Sequence, residues 1–390
     1  MKIVYIASNP DWGGATVALY NIIKYIYKIH EVCVILPNTN GRLYDELQSL
    51  GVQTYIIDYR SNIYYKSRNI LKGLFRTFNM LRINHVAKAK LACLIKSLKP
   101  DIVHCNVGPI DISLDVCLKY KIPHVWHIRE YQDLDFNMTF FPSRKYFLKR
   151  IHNEGNHNIA ITKGVFEYWD MREGIDQVIY DPVIDNPLKV SFPSNKDKYF
   201  LFVGRVEEAK GLFDVIVAFA EFCKERRDFT LKIAGNYCKS SRYFNECMKL
   251  INKNNIEDRV VFLGHRTDVY SLMQKATAQI VASRFEGFGF ITAEAMFNNC
   301  LVIGRNTAGT KEQFDNGVHA TGNEIGYRFN DTSELVQDMK MAVSKDQTSI
   351  LEDAYRTVST NYTSAIFGKK LLEFYDNINL HTEKIRKHSN

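Results

Sequence analysis

The sequence predicts an α/β protein made of two open, parallel-sheet domains that face each other. Three observations predict it. The chain of 390 residues is too long for one ordinary domain. Short β-branched apolar runs alternate with segments of helical period, which is the pattern of βαβ units. The rhythm breaks at IDNPLKVSFPSNKDK (184–198), where two prolines and an Asn/Ser cluster leave no period.

The first block, 1–183, supplies strands at KIVYIA (2–7), EVCVIL (31–36), VQTYIID (52–58), DIVHCN (101–106), PHVWHI (123–128), HNIAIT (157–162) and QVIYDPV (177–183). GGATVALYNIIKYIYK (13–28) carries apolar residues at helical spacing. The stretch 184–198 reads as a linker. The second block, 199–364, restarts with YFLFVG (199–204), FTLKIAG (229–235), RVVFLG (259–264), TAQIVAS (277–283), CLVIG (300–304) and IGYRF (325–329). Ser349 to Leu380 reads as helical, and the last ten residues as frayed. In such sheets ligands bind at the carboxyl ends of the strands, so the loops after each strand are where chemistry belongs.

Composition excludes several classes. No run of eighteen apolar residues occurs, so no membrane span is expected. MKIVYIASNPDWGG does not read as an export signal, because its apolar stretch is short and a glycine turn follows. The eight cysteines show no C-x-x-C pair and no zinc spacing, and Cys33, Cys105 and Cys300 sit in apolar runs as small buried hydrophobes. A cytoplasmic chain without disulfides is the expectation.

Charge is unevenly spread. Between Arg60 and Lys99 lie ten Lys or Arg and no Asp or Glu, whereas the whole chain is only +8. Tyr64, Tyr65, Leu71, Leu74, Phe75, Phe78 and Leu81 are interleaved with these cations. A solvated basic helix face and a surface for an anionic membrane or a phosphate-bearing acceptor both fit that pattern. Nucleic acid is disfavoured, because no nucleic-acid motif accompanies the charge.

The candidate site residues all fall at strand ends. SNPDWGGAT (8–16) places Gly13 and Gly14 at the start of a helix, where backbone N–H groups can approach an anion, although a plain tight turn also fits. The spacing is not G-x-G-x-x-G, which disfavours a dehydrogenase-type dinucleotide fold. GRVEEAKG (204–211) brings Arg205 and Lys210 beside a helix opened by Gly211, a combination suited to a diphosphate. SRFEGFGFITAEA (283–295) sets Glu286 at a helix mouth and Glu294 more than a turn inside it, with Gly287 and Gly289 between them. Two solvated surface charges are the plain reading of such a pair. The glycines and the setting favour another, in which Glu286 accepts hydrogen bonds from a sugar and Glu294 from the vicinal hydroxyls of a ribose.

These segments, with LKIAGN, VVFLGHRTDV and CLVIGRNTAGTKEQF, resemble in order and spacing the retaining glycosyltransferases of family 4, which have the two-domain GT-B fold. The first half resembles the family through the WGGA loop, His127 and IAITKGV. The resemblance implies roles. Arg205 and Lys210 would neutralise the donor diphosphate in place of a metal ion. Glu286 and the amides of Phe288 and Gly289 would hold the transferred sugar, Gly287 and Phe290 would belong to the same donor site, and Glu294 would bind the ribose. Gly264, His265 and Arg266 would line the base pocket, mostly through backbone. His127 would contact the sugar near the reacting carbon. The helix from residue 365 to the C-terminus at 390 would cross back to brace the first domain.

The chain departs from the family at Ala308-Gly309, where two glycines are usual, and at Thr292, where a small aliphatic is usual. By residue type, His127 and His104 would each otherwise be structural, and Arg129 and Glu130 are candidate acceptor contacts. The implied activity is transfer from a UDP- or GDP-sugar to a glycan or lipid-linked acceptor, without cofactor or metal, as in bacterial surface polysaccharide synthesis. A nucleotide-sugar binder without turnover and a nucleotide-sugar epimerase of the same fold are the rival readings. The former is disfavoured by intact Glu286, Arg205 and Lys210, the latter by the lack of acidic catalytic residues.

Overall fold

The computed structural model describes residues 1–65, 70–108, 110–136, 138–185 and 196–388. The chain forms two compact units, Met1–Asp185 with Thr363–Asn390, and Asn186–Tyr362. Most of the expected 184–198 linker lies outside the described residues. Its described start is pinned, because the Ser364 amide donates to the Ile184 carbonyl at 3.0 Å. Its end is already strand from Asp197, two residues before the expected start.

The first unit contains β1 (Lys2–Ile6), β2 (Glu31–Leu36), β3 (Gln53–Ile56), β4 (Ile63–Tyr65), β5 (Ile102–Cys105), β6 (His124–Ile128), β7 (Met138–Phe140), β8 (Asn156–Ala160) and β9 (Gln177–Val178). Seven of them make a parallel sheet in the order β3-β2-β1-β5-β6-β8-β9. The short β4 and β7 pair antiparallel as a separate ribbon that the sequence reading lacked. β1, β2, β5 and β6 are buried along nearly their whole length, because helices cover both faces of a parallel sheet and leave no polar side to alternate with.

The second unit contains β10 (Asp197–Val203), β11 (Thr230–Ala234), β12 (Val260–Gly264), β13 (Ala276–Val281), β14 (Val302–Arg305) and β15 (Tyr327–Phe329), all parallel, in the order β12-β11-β10-β13-β14-β15. Its core is aromatic on one face, with Phe200 5.2 Å from Phe222 and 5.5 Å from Phe229 between ring centroids.

The C-terminal helix Ser364–His388 belongs to the first unit. Phe367, Leu371, Phe374, Tyr375 and Ile378, spaced by three and four, join the core built by β1, β2 and the helix Gly14–Ile26. Cys33, Cys105 and Cys300 are buried. Among the described residues, no helix is long and apolar enough to cross a membrane.

Candidate active site

In both sheets the strand order reverses beside the first strand, between β1 and β5 in one unit and between β10 and β13 in the other. Helices depart to opposite faces at such a point and leave a crevice at the carboxyl edge. The loops after β10 and β13 therefore meet, and they carry Lys210 and Glu286. Lys210 Nζ lies 2.5 Å from Glu286 Oε1, with 29% and 14% of the side chains exposed. Ser283 Oγ donates to the same oxygen at 2.7 Å. The expected phosphate cation and the expected sugar carboxylate are thus one ion pair.

Arg205 behaves differently. Its side chain is 58% exposed and pairs with Glu207 at 3.1 Å.

Glu286 leads into the helix Phe290–Phe297, whose N-cap Gly289 has φ +80°. The first N–H groups of a helix have no intrahelical acceptor and favour an anion. The turn before this helix is braced from the neighbouring helix Ala308–Thr321. Gln313 Nε2 donates to the carbonyls of Phe288 at 2.6 Å and Gly289 at 3.0 Å, and the Gly309 amide donates to the Glu286 carbonyl at 3.0 Å. A Cβ on Gly309 would stand 2.4 Å from the Phe288 carbonyl carbon, so only glycine lets the two loops touch. Phe288 is buried against Phe290 and Tyr362, and acts as the wedge that fixes this loop. Ala308, at the position of the absent family glycine, has φ +48° and carries left-handed strain.

Glu294 sits one turn further in. Burial raises its carboxyl pKa, the Tyr270 hydroxyl pulls it back, and the nearby Glu286 charge adds to the rise. Tyr270 Oη donates to Glu294 Oε1 at 3.4 Å, with its ring 47% exposed. The sequence reading missed Tyr270; the available signal was its place just beyond the Gly264 loop, in the first turn of the helix Val269–Lys275. In that loop Gly264 has φ +68°, His265 is exposed, and Arg266 is paired with Asp268 at 2.6 Å. The Arg266 side chain is thus already engaged, and what the turn offers a base is mainly backbone.

In the first unit a cavity of about 340 Å³ opens at the carboxyl edge of β1, β5 and β6. Asp11, Trp12, Gly13, Gly14, Glu130 and Gln132 line it. A Cβ on Gly13 would meet nothing within 4 Å, so the fold itself does not demand glycine there and the space stays open to a ligand. Trp12 is braced by Arg42, whose guanidinium carbon lies 4.4 Å from the ring centroid. Gln132 Nε2 donates to Glu130 Oε2 at 2.9 Å.

Two expectations need correction here. His127 cannot contact a sugar as placed, because it is fully buried in the first unit and stacked on Phe367 of the C-terminal helix, with centroids 6.1 Å apart and planes 5° apart. Its Nδ1 accepts from Arg129 Nη2 at 3.2 Å. Burial, then the Arg129 charge, holds it well below the ordinary histidine range, so it stays neutral. Arg129, a candidate acceptor contact, is likewise buried, bound to Asp181 and to Asn106 Oδ1. Burial pushes the Asp181 carboxyl up while Arg129 pulls against it. His104, read as structural, is buried with its Nδ1 2.6 Å from Tyr375 Oη. Glu130 is the one of these strand-end groups that reaches the cavity.

Comparison with known proteins fits this geometry. A family profile described as glycosyl transferases group 1 matches residues 185–349, and one described as glycosyltransferase family 4 matches residues 12–185. The chain belongs to this glycosyltransferase family, and its two parallel-sheet units have the GT-B fold. N-acetyl-alpha-D-glucosaminyl L-malate synthase of Bacillus anthracis is 26% identical over 209 residues, covering 52% of this chain and 51% of that protein. The N-acetylgalactosamine-N,N'-diacetylbacillosaminyl-diphospho-undecaprenol 4-alpha-N-acetylgalactosaminyltransferase of Campylobacter jejuni is 28% identical over 177 residues, 45% of each chain. The chain thus spans about half the length, or less, of these curated relatives. Among solved structures, Anabaena Alr3699/HepE in complex with UDP superposes with a TM-score of 0.77 at 18% identity, covering 97% of this chain and 100% of that one.

Proposed function

We propose that this protein transfers a sugar from a nucleoside-diphosphate sugar, UDP or GDP in type, to a glycan or lipid-linked acceptor with retention at the anomeric carbon. The observation that carries the reading is the meeting of Lys210, Glu286 and the Glu294–Tyr270 pair on one carboxyl edge of the second sheet. Lys210, swinging from Glu286, neutralises the diphosphate together with Arg205 and the amides at the start of Phe290–Phe297. The released Glu286 carboxylate accepts from sugar hydroxyls. Glu294 takes the ribose hydroxyls, with the Tyr270 ring beside them.

The bond between the anomeric carbon and the diphosphate oxygen breaks, and the acceptor oxygen bonds to the same face. The acceptor proton passes to the departing phosphate. Charge stabilisation is the main demand of this step, and cations with helix amides can supply several kcal/mol of it without a metal ion. UDP in the HepE complexes supports a UDP donor, and the diphospho-undecaprenol acceptor in the Campylobacter enzyme's name supports a lipid-linked one.

Thermal shifts with UDP, GDP, ADP and CMP test the donor. A ligand at one hundred times its dissociation constant stabilises by about 2.7 kcal/mol. A shift with one diphosphate that disappears in Arg205→Ala/Lys210→Ala supports the assignment, and no shift with any nucleotide removes it. Anomeric NMR of the product reads retention. A rate lost in EDTA and restored by Mg²⁺ would overturn the metal-free part.

A further inference from the structure

Among the described residues, the helix Ile70–Leu98 buries one stripe against the first unit. Met80, Asn84, Ala87, Leu91 and Ile95 are buried, at the three- and four-residue spacing of one helix face. Asn84 locks this stripe, since its Nδ2 donates to the Arg60 carbonyl at 2.9 Å and its Oδ1 accepts from the Arg60 amide at 2.8 Å. From residue 71 to 79 no residue is buried. In that part and just beyond it, Leu71, Leu74, Phe75, Phe78 and Leu81 are 78%, 62%, 73%, 69% and 48% exposed. They too follow three-and-four spacing, on the side away from the buried stripe. Single exposed hydrophobes are ordinary, whereas five on one face of one helix mark an interaction surface.

Charge selects the occupant. Lys72, Arg76 and Arg82 are exposed on the same part of the helix, and no acidic residue occurs between Arg60 and Lys99. A second copy laid symmetrically on this segment would offer these cations no acidic partner from the same stretch. An anionic bilayer offers the reverse, with headgroup phosphates for the Lys and Arg and acyl chains for the Leu and Phe side chains.

We propose that the first half of the helix Ile70–Leu98 docks this protein on an anionic lipid surface, with Leu71, Leu74, Phe75, Phe78 and Leu81 entering the headgroup boundary. Docking of this kind places the first unit where a membrane-borne substrate would be found, but it does not depend on the transfer reaction.

The test is co-sedimentation of the full chain with vesicles of phosphatidylglycerol and phosphatidylcholine, and with phosphatidylcholine alone. Wild type is expected to bind the anionic vesicles at least tenfold more tightly and to weaken as salt rises. Leu74→Ser/Phe75→Ser/Phe78→Ser is expected to lose binding at least tenfold while keeping its melting temperature and its nucleotide-induced thermal shift, since these side chains are mostly exposed. In Phe78→Trp the indole emission is expected to move to the blue on anionic vesicles. Failure of wild type to bind them, equal binding by the triple Ser variant, or a concentration-dependent dimer that the triple variant abolishes would each overturn the proposal. Loss of the nucleotide shift with vesicle binding intact would instead count against the transfer reading alone.

Discussion

Lys210 Nζ and Glu286 Oε1 stand 2.5 Å apart although 76 positions separate them in the chain. Each group is held in contact with an ion of opposite sign. In the proposed reaction, donor binding would exchange this one ion pair for two sets of contacts, phosphate for the lysine and hydroxyls for the glutamate. Lys210→Ala is expected to lower kcat/KM by about 10²–10³-fold, the usual result of losing one charge-stabilising group. Glu286→Gln should fall as well, mainly in kcat. Stability should move by less than about 1 kcal/mol in either variant, because the pair is partly solvated. Initial rates and urea titrations of the same preparations check both parts.

Glu294 offers a test by pH. Its folded-state pKa lies above its unfolded value, so folding favours the protonated carboxyl. The stability it contributes is complete below the unfolded value of about 4.3 and is lost as pH rises through the folded one. Glu294→Gln is therefore expected to melt higher than the parent at neutral pH, with the advantage shrinking toward pH 4. The same substitution should weaken the cognate nucleoside diphosphate by about tenfold or more, since a charged hydrogen bond is worth about 1.5–3 kcal/mol. Calorimetric melts and nucleotide titration read the two effects separately.

Trp12 stands at the mouth of the first unit's cavity with its ring supported by Arg42. An indole face suits the apolar side of a sugar ring, and Glu130 suits its hydroxyls. Trp12→Ala is expected to raise the KM for the acceptor about tenfold and to leave that for the donor within about twofold. A rise in donor KM alone would assign the cavity to the donor instead.

Ala308 adopts φ +48° where glycine would be unstrained. The left-handed conformation costs an L-residue about 1–2 kcal/mol, while glycine gives back about 0.5–1 kcal/mol through the unfolded chain. Ala308→Gly is expected to raise stability by up to about 1 kcal/mol. Thermal melts at fixed pH and salt decide it, and a lowered melting temperature would refute the strain.

Much of this fold was legible because a parallel strand buried on both faces is written as an unbroken apolar run. All thirteen strands of the two large sheets overlap runs readable in the sequence. The β4–β7 ribbon was not legible, since Ile63–Tyr65 and Met138–Phe140 are three residues each and pair antiparallel outside the βαβ rhythm that marks the other strands. At the site, the motifs pointed to the loops after β10 and β13, but pairing across them depends on tertiary packing. Nothing near His127 in the sequence shows that Phe367 will cover it, so the sugar contact that the family resemblance implied had no local signal against it. Tyr270 was missed because its partner Glu294 lies on another helix.

The first unit is discontinuous, completed by a helix made only after the whole of Asn186–Tyr362. During synthesis the second unit is therefore a contiguous piece that can fold first. The first must wait with the surface meant for Phe367, Leu371 and Tyr375 open to water. His104 and Tyr5 wait as well, because Tyr375 is their hydrogen-bond partner. The last helix thus works as a latch on biosynthetic timing. A chain stopped before residue 363 would present an unfinished apolar surface for chaperones and proteases to recognise.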